Sequence, residues 1–147
     1  MSSWRQHALI EAPVEEVWRF VGDPATYPSY ASNVIEVTGL PEVVERDASF
    51  RQVTKSPLGT TEMTFRIDEL EDLREIKLRC TTSGYYSRWL LTEAQENTFL
   101  DLEIGIEATE LRFRAFDATF GKGWYRRMVE NSIDGLKAVL ASRPSAK

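Results

Sequence analysis

Three observations predict an α+β, grip-like fold for this chain: apolar/polar alternation across most of its length, two short helical stripes near its start, and one long helical stripe at its end. The arrangement expected is a seven-stranded curved antiparallel sheet, with two short helices after strand one, wrapped around a long C-terminal helix. Residues 4–11 are short enough for a strand, with Gln6, Ala8 and Ile10 on one face and Arg5, His7 and Leu9 on the other. The period changes at Pro13, which suits the first position of a helix. Val14, Val17, Trp18 and Val21 then make an i, i+3, i+4, i+7 stripe, Glu15 and Glu16 sit at the positive end of the helix dipole, and Gly22 stops the helix. Asp23-Pro24 restarts a turn of helix with Asp23 as its cap, and Pro28 ends it. Tyr27 and Tyr30 project from this second piece.

From Asn33 onward the pattern is strand after strand: Val34–Thr38, Ala48–Thr54, Thr60–Leu70, Glu75–Thr82, Tyr85–Glu93 and Thr98–Thr109. The connections are short and rich in turn residues, so consecutive antiparallel pairing is expected. Met63, Phe65 and Ile67 share a face opposite Glu62, Thr64 and Arg66. Ile76, Leu78 and Cys80 oppose Lys77 and Arg79, and Leu100, Leu102, Ile104 and Ile106 oppose Asp101 and Glu103. One sheet face is apolar and the other charged. In Tyr85–Glu93 both faces carry apolar groups; Tyr85, Trp89 and Leu91 are taken as inward, against Tyr86, Arg88 and Leu90.

The long helix spans Asp117 to Ser142. Tyr125, Met128, Val129, Ser132, Ile133, Leu136, Val139 and Leu140 fall on one broad face, and Arg126, Arg127, Glu130, Asp134 and Lys137 fall mostly elsewhere. Phe116, Phe120 and Trp124 recur every four residues along an edge of that face, while Gly121 and Gly123 interrupt good helix formers. Large rings beside a yielding backbone read either as the mouth of a cavity or as ordinary core.

At 147 residues the chain is expected to fold as one domain, 1–147, with a frayed tail over 143–147. Eighteen Lys and Arg against 23 Asp and Glu give a net charge of −5, which disfavours nucleic acid as a partner. A single cysteine excludes an internal disulfide, the start lacks the apolar core of a signal peptide, and no apolar run approaches a membrane span; a cytoplasmic location is expected. One His and one Cys argue against a zinc or iron site, and no Gly-rich loop precedes a helix, so neither metal nor cofactor is expected.

The run Ile10-Glu-Ala-Pro-Val-Glu-Glu-Val-Trp-Arg-Phe-Val, then Asp23-Pro, Tyr30, Val34 and Val37, and the terminal Asn131…Leu136-Lys137, resemble the START-like (SRPBCC) superfamily, and within it the polyketide cyclase/dehydrase and lipid-transport type. The likeness follows the order of elements over nearly the whole chain and implies a helix-grip fold. Two positions depart from it. Glu96-Asn97-Thr98 replaces a common Gly-Gly-Thr turn, where Asn97 can still take a left-handed turn, and Tyr30 stands where relatives have Trp.

The residues left for function are the rings expected inside. Trp18, Tyr27, Tyr30, Met63, Phe65, Tyr85, Trp89, Phe116, Phe120, Trp124 and Met128 are the candidate ligand-binding set, suited to a planar apolar guest such as a polyketide, sterol, isoprenoid or fatty acyl group. The first expectation is a carrier or binding protein for a hydrophobic small molecule. The resemblance implies a second, an aromatase/cyclase acting on a poly-β-ketone, with Tyr30 or Tyr85 as proton donor and Arg66 or Arg88 holding a carbonyl if either points inward. The third is a chaperone-activator-like interaction module, which predicts a filled core and an exposed apolar patch on the sheet.

Overall fold

The computed structural model describes residues 3–31, 33–56, 59–107 and 122–142. In chain order the elements are β1 (Ser3–Ile10), α1 (Val14–Val21), a 3-10 helix (Pro24–Ser29), β2 (Val34–Thr38), β3 (Ser49–Ser56), β4 (Gly59–Glu71), β5 (Glu75–Cys80), β6 (Tyr85–Ala94), β7 (Asn97–Ile106) and α2 (Lys122–Ala141). The sheet has seven strands in the order β1-β7-β6-β5-β4-β3-β2, antiparallel throughout. From β2 to β7 each strand pairs with the next, and β1 returns to pair with β7. The two edges are therefore β1 and β2, so α1 and the 3-10 helix carry the chain across the width of the sheet.

The expected alternation sets the inner face. Ile10, Phe65, Ile67, Ile76, Leu78, Leu100, Leu102 and Ile104 are buried, and Tyr85, Trp89 and Leu91 are the inward set of β6. The helix α2 lies mainly on β1 and β7 and buries Trp124, Tyr125, Val129, Ser132, Ile133 and Leu136. Gly135 is needed at the closest approach: a Cβ there would stand 2.3 Å from the backbone oxygen of Tyr30. This contact locks α2 against the chain just after the 3-10 helix.

Local chemistry accounts for the ends of the small elements. Asp23 caps the 3-10 helix by accepting from the Ala25 N–H at 3.1 Å. Pro13 sits one position earlier than expected, as the N-cap of α1. Pro28 lies inside the 3-10 helix rather than past its end. The two-residue β6–β7 loop turns on Gln95, with φ 60°, and Asn97 is already paired in β7, so the left-handed residue is two positions before the expected Asn97. The strand β7 is bounded at Ile106, and the Glu107 N–H carries the β6–β7 register one pair further by donating to Gly84 O at 2.9 Å; the expected end at Thr109 lies outside the described residues. The expected start of the long helix, 117–121, lies outside the described residues, as do Phe116 and Phe120.

Candidate functional site

Burial of both β6 and α2 places two groups of rings inside the fold. The first joins the 3-10 helix to β6: Tyr27, Tyr30 and Trp89 have ring centroids 5.7 to 5.9 Å apart, and Phe20 meets Tyr30 edge-on at 6.2 Å. Their hydroxyls are committed. Tyr27 Oη donates to Val21 O at 2.8 Å, a carbonyl that the end of α1 leaves open, and Tyr30 Oη donates at 3.0 Å to Phe20 O, which also accepts from Thr26 Oγ1. Burial pushes both phenols well above the ordinary tyrosine range, so both stay protonated at neutral pH.

The second group runs across β3, β4 and β6 to the start of α2. Phe50 stacks on Phe65 at 5.9 Å, Phe65 meets Tyr85 at 6.1 Å, Tyr85 meets Trp124 at 5.6 Å, and Trp124 meets Tyr125 at 5.6 Å. Tyr85 Oη accepts a hydrogen bond from Asn33 Nδ2 at 2.9 Å, which leaves its own proton available to a further acceptor. Burial raises its pKa as well, although the Asn33 hydrogen bond works in the opposite direction.

Between the groups lies a gap of about 20 Å³ bordered by Asn33, Gln52, Tyr85, Ser87, Trp89 and Ser132 among others, none of them charged. A space of this size takes roughly one water-sized group. A larger guest does not fit this gap as it stands. Two of the residues bordering this gap carry a buried polar atom, Trp89 Nε1 and Ser132 Oγ, that has no hydrogen-bond partner among the described residues. By contrast, Gln52 Nε2 donates to Thr54 Oγ1 at 3.0 Å.

The expected site residues separate on this geometry. Tyr27, Phe65, Tyr85 and Trp89 border the gap. Tyr30 is buried behind them, and Trp124 is buried beside Tyr85. Met63, Met128 and Trp18 are half-buried at the margin of the core, with the Trp18 ring lying against Gly22 so closely that a Cβ there would fall 2.4 Å from it. Arg66 and Arg88 do not point inward: Arg66 pairs with Asp47 at 2.7 Å and Arg88 with Glu75 at 2.6 Å, both on the outer face. Neither can hold a carbonyl inside, because strand parity puts them opposite Phe65 and Trp89. Tyr30 is likewise corrected as a proton donor, since its hydroxyl proton is already given to Phe20 O. Of the four candidates for chemistry, Tyr85 alone is inside with a proton to offer.

Asn33, Gln52 and Ser87 were not among the residues expected at the site, and Ser132 was expected only as part of the helix face. Their signal is a polar residue at an inward position: Gln52 shares the buried parity of Phe50 and Thr54, and Ser87 that of Tyr85 and Trp89. On the outer face, Glu69, Glu75, Lys77, Tyr86, Arg88, Glu103 and Glu107 surround a wide dish of about 430 Å³. Tyr86 Oη donates to Glu103 Oε2 at 3.0 Å, Lys77 lies 5.0 Å over its ring, and burial followed by the Glu103 charge pushes the phenol up to about 12. Lys77 pairs with Glu107 and Arg88 with Glu75 within the dish, while Glu69 pairs with Arg46 outside it. The cross-strand neighbours Leu9 and Phe99 are 43% and 52% exposed, an apolar patch too small to mark a docking surface. Among the described residues there is no group of three His, Cys, Asp or Glu able to hold a metal ion, and no helix long and apolar enough to cross a membrane.

Comparison with known proteins supplies a family. The profile described as "Polyketide cyclase / dehydrase and lipid transport" matches residues 1–141. A crystal structure of a protein from Thermus thermophilus is similar at 19% identity with a TM-score of 0.75, covering 97% of this chain and 100% of the other. A START superfamily protein from Mycobacterium smegmatis is similar at 10% identity and TM-score 0.73, covering 95% of this chain and 97% of the other. The di-domain ARO/CYC BexL of the BE-7585A biosynthetic pathway is similar at 20% identity and TM-score 0.61, over 95% of this chain but 45% of its own. At these identities the solved structures bear on the fold alone. No curated protein matches the sequence.

Proposed function

The chain belongs to the polyketide cyclase/dehydrase and lipid-transport family, and from that premise we propose that it binds a hydrophobic small molecule, of polyketide, lipid or isoprenoid class, between the sheet and α2 as a carrier or binding protein. The observation that supports this reading best is the ladder of rings Phe50, Phe65, Tyr85 and Trp124, which offers flat apolar surfaces from three strands and the helix to one planar guest. Entry requires displacement of a ring, and Trp124, at the first turn of α2, is the one nearest an end of the helix. The experiment is native mass spectrometry of freshly purified protein, with extraction of any bound molecule, repeated on Trp124→Ala. A guest of apolar character, lost or weakened in the variant, is the expected result. Protein that carries no guest and whose tryptophan fluorescence does not respond to any polyketide, sterol, isoprenoid or fatty acyl probe overturns the reading.

A second reading, a cyclase working on a poly-β-ketone, rests on the unspent hydroxyl proton of Tyr85. Its raised pKa keeps the Tyr85 proton in place and makes it a reluctant acid, and among the described residues no charged base borders the gap, which is why binding is preferred to turnover. Tyr85→Phe separates the two: a cyclase loses turnover while retaining the guest, whereas a carrier shows no turnover to lose.

A further inference from the structure

Trp89 and Ser132 border the same gap from different elements, β6 and α2, and each carries a polar atom that no described group satisfies. Both are almost completely buried, at 2% and 1% exposure. A buried donor left unpaired is costly, and native interiors pair nearly all of them. Two unpaired atoms on residues that border one small space mark it as polar and sized for a single hydrogen-bonding atom. The indole Nε1 can only donate, and the Ser132 hydroxyl can donate or accept. Tyr85, whose oxygen already accepts from Asn33, has a hydroxyl proton to give at the same gap. What these groups have in common is the capacity to donate to an acceptor. The gap has room for one atom of oxygen size and not for a ring. Among the described residues no Lys, Arg or His borders it, so a carboxylate there would be buried without a counter-charge.

Resting on the proposed binding function, we infer that this gap is a subsite for a neutral carbonyl oxygen of the guest, a ketone, quinone or ester, held by Trp89 Nε1, Ser132 Oγ and the Tyr85 hydroxyl. The subsite discriminates against the same carbon skeleton without the oxygen, which leaves the donors unpaired, and against the corresponding acid, which brings an uncompensated charge. Guests are accordingly oriented with one carbonyl against β6 and their apolar body along the ring ladder of Phe65 and Tyr85.

The test uses three probes of one skeleton, 2-acetylnaphthalene, 2-ethylnaphthalene and 2-naphthoate, titrated into the full chain and followed by calorimetry. The ketone is expected to bind at least about tenfold more tightly than the hydrocarbon, since two or three neutral hydrogen bonds are at stake, and the naphthoate more weakly than either. Ser132→Ala is expected to reduce the ketone preference about threefold to tenfold while leaving the affinity for 2-ethylnaphthalene unchanged. The same substitution leaves the melting temperature of the ligand-free protein equal or higher, because it removes an unpaired buried hydroxyl; that combination is not produced by mere loss of packing. Trp89→Phe extends the series where it folds, and Ser132→Ala decides the matter where it does not. Equal affinities for ketone and hydrocarbon, or naphthoate bound as tightly as the ketone, overturn the subsite and leave the binding function standing. Failure of all three probes to bind overturns the subsite, whereas the reading on which it rests stands or falls by the native mass spectrometry and the wider fluorescence panel.

Discussion

The two ring groups of the interior use the same residue type for different ends. Around Tyr27 and Tyr30 the phenols are structural: each spans from the 3-10 helix to the last turn of α1 and gives its proton to a backbone carbonyl. Around Tyr85 the phenol is an acceptor from Asn33 with a proton unspent, and the neighbouring Trp89 Nε1 and Ser132 Oγ have no partner among the described residues. Trp89 belongs to both groups, its ring packed on Tyr27 and Tyr30 and its side chain bordering the gap. A tyrosine's role in this fold is thus set by the destination of its hydroxyl, not by its burial, which the three share.

Alkaline pH gives the largest expected effect and counts the sealed phenols. The native pKa values of Tyr27, Tyr30 and Tyr85 lie above the ordinary value of 10.0. Each therefore contributes stability that is full below pH 10 and is lost as pH rises, because the unfolded chain ionises there and the native one does not. The slope is about 1.4 kcal/mol per pH unit for each phenol, or about 4 for these three, and Tyr86, raised to about 12, adds a fourth such contribution between pH 10 and 12. Urea unfolding at a series of pH values above 10, read with tyrosinate absorbance, measures it. A slope reduced by a quarter between pH 10 and 12 in Tyr27→Phe but unchanged in Tyr85→Phe would mean that solvent reaches the Tyr85 half.

A substitution at Gly135 probes the seam that holds the closed half. Alanine is worth about 1 kcal/mol more than glycine inside a helix, so propensity alone predicts stabilisation. The new Cβ would stand 2.3 Å from Tyr30 O, a backbone atom, and the expected outcome of Gly135→Ala is a net loss of about 1–3 kcal/mol in equilibrium denaturation. A gain would show that α2 does not approach the chain at Tyr30 so closely.

The smallest effect contrasts a spent hydroxyl with an unspent one. Tyr27→Phe leaves Val21 O without its donor and is expected to cost about 1 kcal/mol. Ser132→Ala removes a hydroxyl that no described group satisfies and is expected to cost nothing in the ligand-free protein. Thermal melts of the two variants side by side check the pair; equal losses would erase the distinction between the halves.

Much of the architecture was legible because it depends on local period. A period of two sorts each strand into an inner and an outer face whatever its partners, and that parity already placed Arg66 outward and Tyr85, Trp89 and Leu91 inward. The site was less legible. Gln52 and Ser87 stand at inward parity among rings, a visible anomaly, but parity does not say whether a polar atom there meets a partner: Gln52 finds Thr54, whereas Trp89 Nε1 finds none among the described residues. Turn conformation was also missed, since Gln95 rather than Asn97 takes the positive φ in the tight β6–β7 loop. Loop length, fixed by which residues pair across the hairpin, outweighs the intrinsic preference of Asn.

By itself, then, the amino-acid sequence determined the order of elements, the antiparallel sheet with its long covering helix, and the apolar side of each strand, because these follow from periodicity and turn chemistry over a few residues. Only the tertiary structure decided how much room is left between sheet and helix, which hydroxyls are consumed by the end of α1, and which donors are left to a guest. Those depend on contacts between residues far apart in the chain, Tyr30 with Gly135 or Asn33 with Tyr85, whose distances no local pattern encodes.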